Sequence, residues 1–457
     1  MLKNQSIDLT EGSIYSHLKR IAIPASIGFL FNTLFNVVDT IYVGQVSTDA
    51  LAGLTLSFPV YFILISLALG LGQGTTALVS IHLGEKRLDR YHEKIKASFF
   101  WALFFSIFMA FLSPALIPFL FRLMGASGQS LELGVNYSII IYAGSFFFFT
   151  NLLVSGILNA EGNTKPFRNF IIVGFFLNLI LDPLFIFGWF GLPELSTAGV
   201  ALATVIVQGL GSIYLIYMLR SSAYFSFKTL FQTKLSVKDI FRVINQALPV
   251  ALTNATIAIG IFVINYFALL YGGDVAVAAY GSALRIEQIL FLPTIGFNIA
   301  ALSIMGQNFG AKKAGRMKET ALKASYIGLV ILTVAIVLIL IFARPLMSLF
   351  SSDLELIQTG VTYLRIATTG LWSYVILNIS VSLLQAIKKP LISFLIGLYR
   401  QLFPIVVFAY LGGVLGFGVS GIWWGIVLVN WSAVMIAIPT TIILFKKATQ
   451  SFEKEAS

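Results

Sequence analysis

The sequence predicts an all-α membrane protein of twelve transmembrane helices, built as two six-helix lobes related by a parallel internal repeat. Three observations predict it. Of the 457 residues, 58% are hydrophobic and 11% charged, with a mean hydropathy of +0.91, and apolar runs of about twenty residues, enough to cross a bilayer, recur from end to end. Lys and Arg gather in the intervals on one side of the membrane. The second half of the chain repeats the first.

The spans fall at 14–43, 50–83, 95–121, 130–159, 164–188, 195–220, 243–270, 277–309, 322–346, 357–386, 390–412 and 418–445. The first, from Ile14 to Gly44, is too long for a signal peptide and lacks a small-residue cleavage site. Zero cysteines exclude disulfides and thiolate metal sites, and His17, His82 and His92 lie at helix ends or in loops, which argues against a histidine metal cluster. The net charge is +11. With both termini cytoplasmic, the outer intervals carry only Arg122 and Arg344, which is the positive-inside asymmetry of a cytoplasmic membrane. The basicity therefore reports topology rather than nucleic-acid binding.

The repeat sets the domain organisation. Ala22-Ile23-Pro24 recurs as Ala247-Leu248-Pro249, and Gly84-Glu85-Lys86-Arg87 as Gly310-Ala311-Lys312-Lys313. Gly134-Val135-Asn136-Tyr137 answers Gly360-Val361-Thr362-Tyr363, Pro166 answers Pro390, and Gly199 answers Gly421, the offset drifting only from 226 to 222. Six spans per repeat give both halves the same orientation, an arrangement suited to two lobes rocking about a central cavity. The expected division is an N-lobe at 1–219, a cytoplasmic linker at 220–242 and a C-lobe at 243–457.

Polar residues inside the spans point to transport. In the first span Asn32, Asn36 and Asp39 share one helical face. Asn178 and Asp182 stand at i and i+4 in the fifth span, as do Thr204 and Gln208 in the sixth, and Asn151, Ser155 and Asn159 form a similar stripe in the fourth. The economical reading is one shared cavity. Asp39 lies 19 residues beyond Arg20, about 28 Å along a helix. Asp182 lies 14 to 17 residues beyond Arg168 and Lys165, roughly 21–25 Å, so the two acids reach similar heights. A charged carboxylate near the bilayer centre costs about 3 kcal/mol; each must be protonated, paired with a cation or hydrated. An oxygen set of Asp39, Asn178, Asp182 and Thr204 serves either H⁺ or a hard cation such as Na⁺. Pro183 also frees a backbone carbonyl four residues earlier, a group of the kind that binds ions in transporters.

The second repeat acts as a control. Asp39 maps to Ile264 or Asn265 and Asp182 to Phe403 or Pro404, so that half folds without these acids. Arg285, Glu287, Arg365 and Arg400 are the other intramembrane charges and read as structural interlocks. Asn254, Asn265, Met305 and Asn378, with the aromatics Tyr266, Trp372 and Tyr374, are candidate linings of a substrate chamber. GLGQGTT, Gly70 to Thr76, imitates a phosphate loop but has neither the lysine nor the preceding strand, and its small residues suit close helix packing. No nucleotide-hydrolysing or hydrolase motif occurs, so the chain reads as no enzyme, with no cofactor beyond a coupling ion.

At these residues the chain resembles the multidrug and toxic compound extrusion (MATE) family. NTLFNVVDTIYVG, GILNAEGNTKPF, FLNLILDPLFIFG, AGVALATVIVQ and SALRIEQI carry the resemblance, which covers about residues 15–445. It implies export of bulky, amphipathic, often cationic compounds in exchange for inward H⁺ or Na⁺, without nucleic acid and with nothing that requires more than a monomer. It implies that Asp39 and Asp182 carry the coupling, assisted by Asn178 and Thr204, and that Pro24 and Gly28 let the first helix bend. NorM-like members are expected to have further acids in the seventh and tenth spans; here the seventh has Asn254 and Thr256, and the tenth has none between Leu356 and Lys388. That favours a DinF-like arrangement with coupling in the first lobe. The alternative is a lipid-linked oligosaccharide flippase of the same superfamily, with Arg285, Arg365 and Arg400 as pyrophosphate contacts.

Overall fold

The computed structural model describes residues 7–456. Its helices are α1 (Ile14–Val46), α2 (Thr48–Gly84), α3 (Leu88–Leu123), α4 (Gly128–Ala143), α5 (Ser145–Ala160), α6 (Lys165–Ile186) and α7 (Thr197–Arg220). They continue as α8 (Phe227–Gln232), α9 (Val237–Gly310), α10 (Ala314–Ser348), α11 (Leu354–Thr368), α12 (Leu371–Ala386), α13 (Pro390–Phe408) and α14 (Gly418–Ala456).

Among the described residues nine helices are long and apolar enough to cross a bilayer, and the pairs α4–α5 and α11–α12 add two more spans, each bent by 51°. A glycine occupies each bend, Gly144 and Gly370. The 74 residues of α9 are not one rod, because Gly273 takes φ 64°, ψ −165°. A straight helix of that length would measure about 110 Å against a bilayer core of about 30 Å. Each arm of α9 is thus one crossing, and the expected twelve follow. The extended intervals 130–159 and 357–386 are single spans only with their central bend.

Local chemistry sets the ends. Ser47 caps α2 by accepting the Ala50 N–H at 3.0 Å, and Asp353 caps α11 by accepting the Glu355 N–H at 2.8 Å. Pro166 and Pro390 occupy the first turns of α6 and α13, where no N–H is needed. Lys86 and Lys312 are repeat equivalents, and both take the left-handed conformation that ends their helices (φ 58° and 57°).

The chain divides into two compact units, and the division exchanges two short pieces. Unit 1 is the segment up to Glu11 with Ile27–Asn254; unit 2 is Gly12–Ser26 with Ala255 onward. The expected boundaries at 219 and 243 both lie inside unit 1. In unit 1, α2 packs on α4 and α5, and α6 on α7; in unit 2, α10 packs on α11 and α12, and α13 on α14. The interval 220–242 is docked within unit 1: Lys94 pairs with Asp239, the Trp101 Nε1–H donates to the Ile240 carbonyl at 2.9 Å, and Lys96 donates to the Thr233 carbonyl at 2.6 Å. In unit 2 the start of α1 is bound by the Ser26 hydroxyl donating to the Pro293 carbonyl at 3.0 Å.

The glycines of GLGQGTT are packing contacts. A Cβ on Gly72 would stand 2.6 Å from the Leu152 carbonyl oxygen, and one on Gly74 2.7 Å from Ala247 Cα. Helix backbones touch there, and a side chain would separate them.

Candidate functional site

The site forms where α1 and α6 meet in unit 1. Asp39 is 4% exposed, and Asn178 and Asp182 are fully buried. Helical spacing places Asn178 and Asp182 on one face of α6, and the Asn178 Nδ2 donates to Asp182 Oδ2 at 2.9 Å. The same nitrogen donates to Asp39 Oδ1 at 2.6 Å, so one amide spends both hydrogens on two carboxyls. The carboxyls also lie within hydrogen-bonding reach of one another. Two bare carboxylates have no donor for such a contact, so it calls for a positive charge between them.

Three buried oxygens at this place receive no hydrogen bond: Asn178 Oδ1, Asp182 Oδ1 and Thr204 Oγ1. Thr204 comes from α7 and lines, with Asn32, Asn36, Asp39 and Gln208, a pocket of about 10 Å³. That is room for about one water-sized body. Tyr61 of α2 and Tyr137 of α4 complete its wall. On the far side of Phe170, Gly174 and Val207, which border both spaces, an apolar groove of about 410 Å³ runs between α6 and α7, reaching Leu210 and Tyr214.

The other polar residues have different employments. Asn151 is buried and donates to the Gln208 side chain at 2.7 Å, while its own oxygen accepts from Ser212 at 2.8 Å. It locks α5 to α7 and has no contact with the acids in this network; Ser155 is buried one turn on. The carbonyl freed by Pro183 is Leu179 O. It accepts the Tyr42 hydroxyl at 3.2 Å and so ties α6 to α1 instead of standing free for an ion. Gly28 brings α1 against α6, since a Cβ there would meet Arg168 Cα at 3.4 Å. Pro24 and Gly28 flank the point between Ser26 and Ile27 where α1 passes from unit 2 to unit 1.

Of the second-repeat residues, Asn254 belongs to unit 1 and its buried Nδ2 has no partner, while Asn265 and Asn378 are half-buried in unit 2. Met305 is fully buried in that unit's core. Arg400 is engaged, its Nε donating to Asn430 Oδ1 at 3.0 Å and its guanidinium lying 4.9 Å from the Tyr374 ring centre. Arg285 and Arg365 are exposed.

Sequence reasoning missed Tyr61 and Tyr137 as pocket walls, although Tyr137 sits in a repeated motif. It also missed Glu161, at the end of α5 and outside the spans. The buried Glu161 carboxyl accepts from the Tyr91 hydroxyl at 2.5 Å and from Ser222 at 2.7 Å. Burial pushes it up to about 7, against the pull of those two bonds.

The MatE family model matches residues 24–184 and again 249–411, one match on each repeat. This chain belongs to the MatE family. It is therefore a multi-pass membrane transporter and not an enzyme. Among MatE relatives it is 27% identical to the FAD transporter of Shewanella oneidensis, over 89% of each chain. It is 24% identical to the multidrug export protein MepA of Staphylococcus haemolyticus, over 96% of this chain and 95% of that one. A crystal structure of MATE in the bent conformation superposes with a TM-score of 0.92 at 25% identity, covering 99% of this chain and all of that one.

Proposed function

We propose that this chain is a cation-coupled antiporter that exports amphipathic, often cationic compounds across the cytoplasmic membrane of a prokaryote. It works as a monomer with both termini in the cytoplasm, and Asp39, Asn178, Asp182 and Thr204 hold the coupling ion. The observation that carries the reading is the bridging of two buried carboxyls by the single Asn178 amide. Two adjacent buried charges repel each other and lose hydration, so the site takes up one positive charge to become stable. A proton shared by the carboxyls satisfies this. Na⁺ suits the same donor set, because Asn178 Oδ1, Asp182 Oδ1 and Thr204 Oγ1 are hard oxygens without a partner, and Thr204 and Asp39 face a space of about 10 Å³.

Coupling follows from position. Asp39 lies on α1, which crosses between the two units beside Pro24 and Gly28. Loading the site strengthens the grip of α6 on α1, and emptying it relaxes that grip, so ion occupancy biases the path of α1. The apolar groove shares three wall residues with the acid pocket, and its volume falls in the range of small-molecule sites. An amphipathic substrate there is a wall's thickness from the ion, which supports exchange of one for the other. The export activity named for MepA points the same way.

A second reading, export of a phosphate-bearing compound, is favoured by the FAD transporter relative and by Arg400 on Tyr374. The exposure of Arg285 and Arg365 leaves that reading, and the flippase variant of it, with one engaged arginine. Proteoliposomes loaded with ethidium or with FAD, given a pH gradient and a Na⁺ gradient separately, decide between them. Ethidium movement driven by one gradient and lost in Asp39→Asn supports the antiporter. FAD movement indifferent to Asp39→Asn would replace it.

A further inference from the structure

Unit 2 buries a carboxyl that the site above does not use. Glu287, in the second arm of α9, is 5% exposed, and its Oε1 has no hydrogen-bond partner. The Tyr363 hydroxyl of α11 lies within hydrogen-bonding reach of its carboxyl. Around it Tyr280, Tyr363 and Trp423 form an aromatic trio with ring centres 4.9 to 5.9 Å apart. Tyr374 of α12 is the next polar group, and beyond it Arg400 of α13 is occupied by Asn430 and the Tyr374 ring. Among the described residues no Lys, Arg or His forms an ion pair with Glu287. An acid that interlocks helices through a charge pair would show such a partner.

The repeat gives this position a meaning. At the offset of 226, Glu287 corresponds to Tyr61 and Tyr363 to Tyr137. Burial confirms the register: Ala50, Gly53, Ser57 and Val60 are buried in α2, as are Ala276, Ala279, Ala283 and Ile286 in α9. In unit 1 Tyr61 and Tyr137 wall the pocket of Asp39. Both repeats thus set a carboxyl beside the same tyrosine but deliver it from different helices, the first span in unit 1 and the second span in unit 2.

We propose that Glu287 is a proton-binding carboxyl of the second repeat, so that each repeat of the transporter carries its own ion-binding acid. The proposal rests on the ion-coupled reading above. A carboxylate with a bare buried oxygen and no counter-charge is strongly disfavoured in an apolar surround, and a proton removes the charge. The Tyr363 hydroxyl can accept from the acid or donate to the carboxylate, so it partners both states. Tyr280, Tyr363 and Trp423 are almost wholly buried, so the carboxyl is walled by aromatic rings rather than by water.

The test counts protons. Ethidium is added to purified, weakly buffered wild type, Glu287→Gln and Glu287→Asp, and proton release per bound ethidium is measured. Infrared difference spectra between acid and alkaline pH are recorded on the same proteins without ethidium. Glu287→Gln is expected to release fewer protons and to lose one protonated-carboxyl C=O band; Glu287→Asp restores release and shifts the band. Undiminished release with an unchanged band in Glu287→Gln overturns the proposal. Should Glu287→Gln not fold, an unshifted band in Glu287→Asp overturns it equally. Wild type that releases no proton while keeping a band assigned to Glu287 would instead sink proton coupling as the transport reading and leave Glu287 as a proton site.

Discussion

Asn178 Nδ2 stands 2.6 Å from Asp39 Oδ1, and this bond joins α6 to α1. Because the same nitrogen serves Asp182, Asn178→Ala strips both carboxyls of a donor. Hydrogen bonds to charged groups are worth roughly 1.5–3 kcal/mol each. The variant should lose gradient-driven ethidium export and melt at lower temperature. Full export by Asn178→Ala would show that the bridge has no part in coupling.

Asp39→Asn keeps the shape of the side chain and removes its charge. The second repeat folds with Ile264 or Asn265 at the matching place, so the variant should insert and melt like wild type. Export driven by an ion gradient should fall to background. A proteoliposome assay checks both, and wild-type export by this variant would end the assignment of Asp39.

Lys94 and Asp239 are both buried, and their pair holds the end of the linker to α3. Burial alone would raise the Asp239 carboxyl, but Lys94 and then Arg242 hold it below the usual range. Lys94→Ala leaves a buried acid half-paired, at a cost of about 3–5 kcal/mol. Thermal melting should show a large loss, and adding Asp239→Asn should recover part of it.

Glu161 sets a slope of stability with pH. Its carboxyl keeps a proton up to about 7 in the folded chain, whereas its ordinary value is 4.5. Between these values the native state binds more protons than the unfolded chain, so this contribution to stability is full below about 4.5 and is lost as pH rises through about 7. Glu161→Gln should flatten that part of a melting-temperature profile. A profile parallel to wild type would contradict the assignment.

Gly72 gives the mechanical test. A Cβ there meets the Leu152 carbonyl at 2.6 Å, and backbone cannot swing aside as a side chain can. Gly72→Val should cost about 1–3 kcal/mol by overpacking, read as a lower melting temperature.

Much of this was legible in the chain itself. Hydrophobic length marked the spans, the 226-residue offset marked the repeat, and i, i+4 spacing put Asn178 and Asp182 on one face. These are local properties, fixed by rise per residue and by composition, and they need no partner to be read. What only the tertiary structure decided is which faces meet. It brought Asn178 to Asp39, gave the carbonyl freed by Pro183 to Tyr42, and turned Asn151 towards Gln208 and Ser212. It also moved the starts of α1 and α9 across the expected boundaries, and it set Glu287 against Tyr363 with no counter-charge. Helical periodicity specifies a direction around one axis; the neighbour found in that direction depends on how every other helix packs.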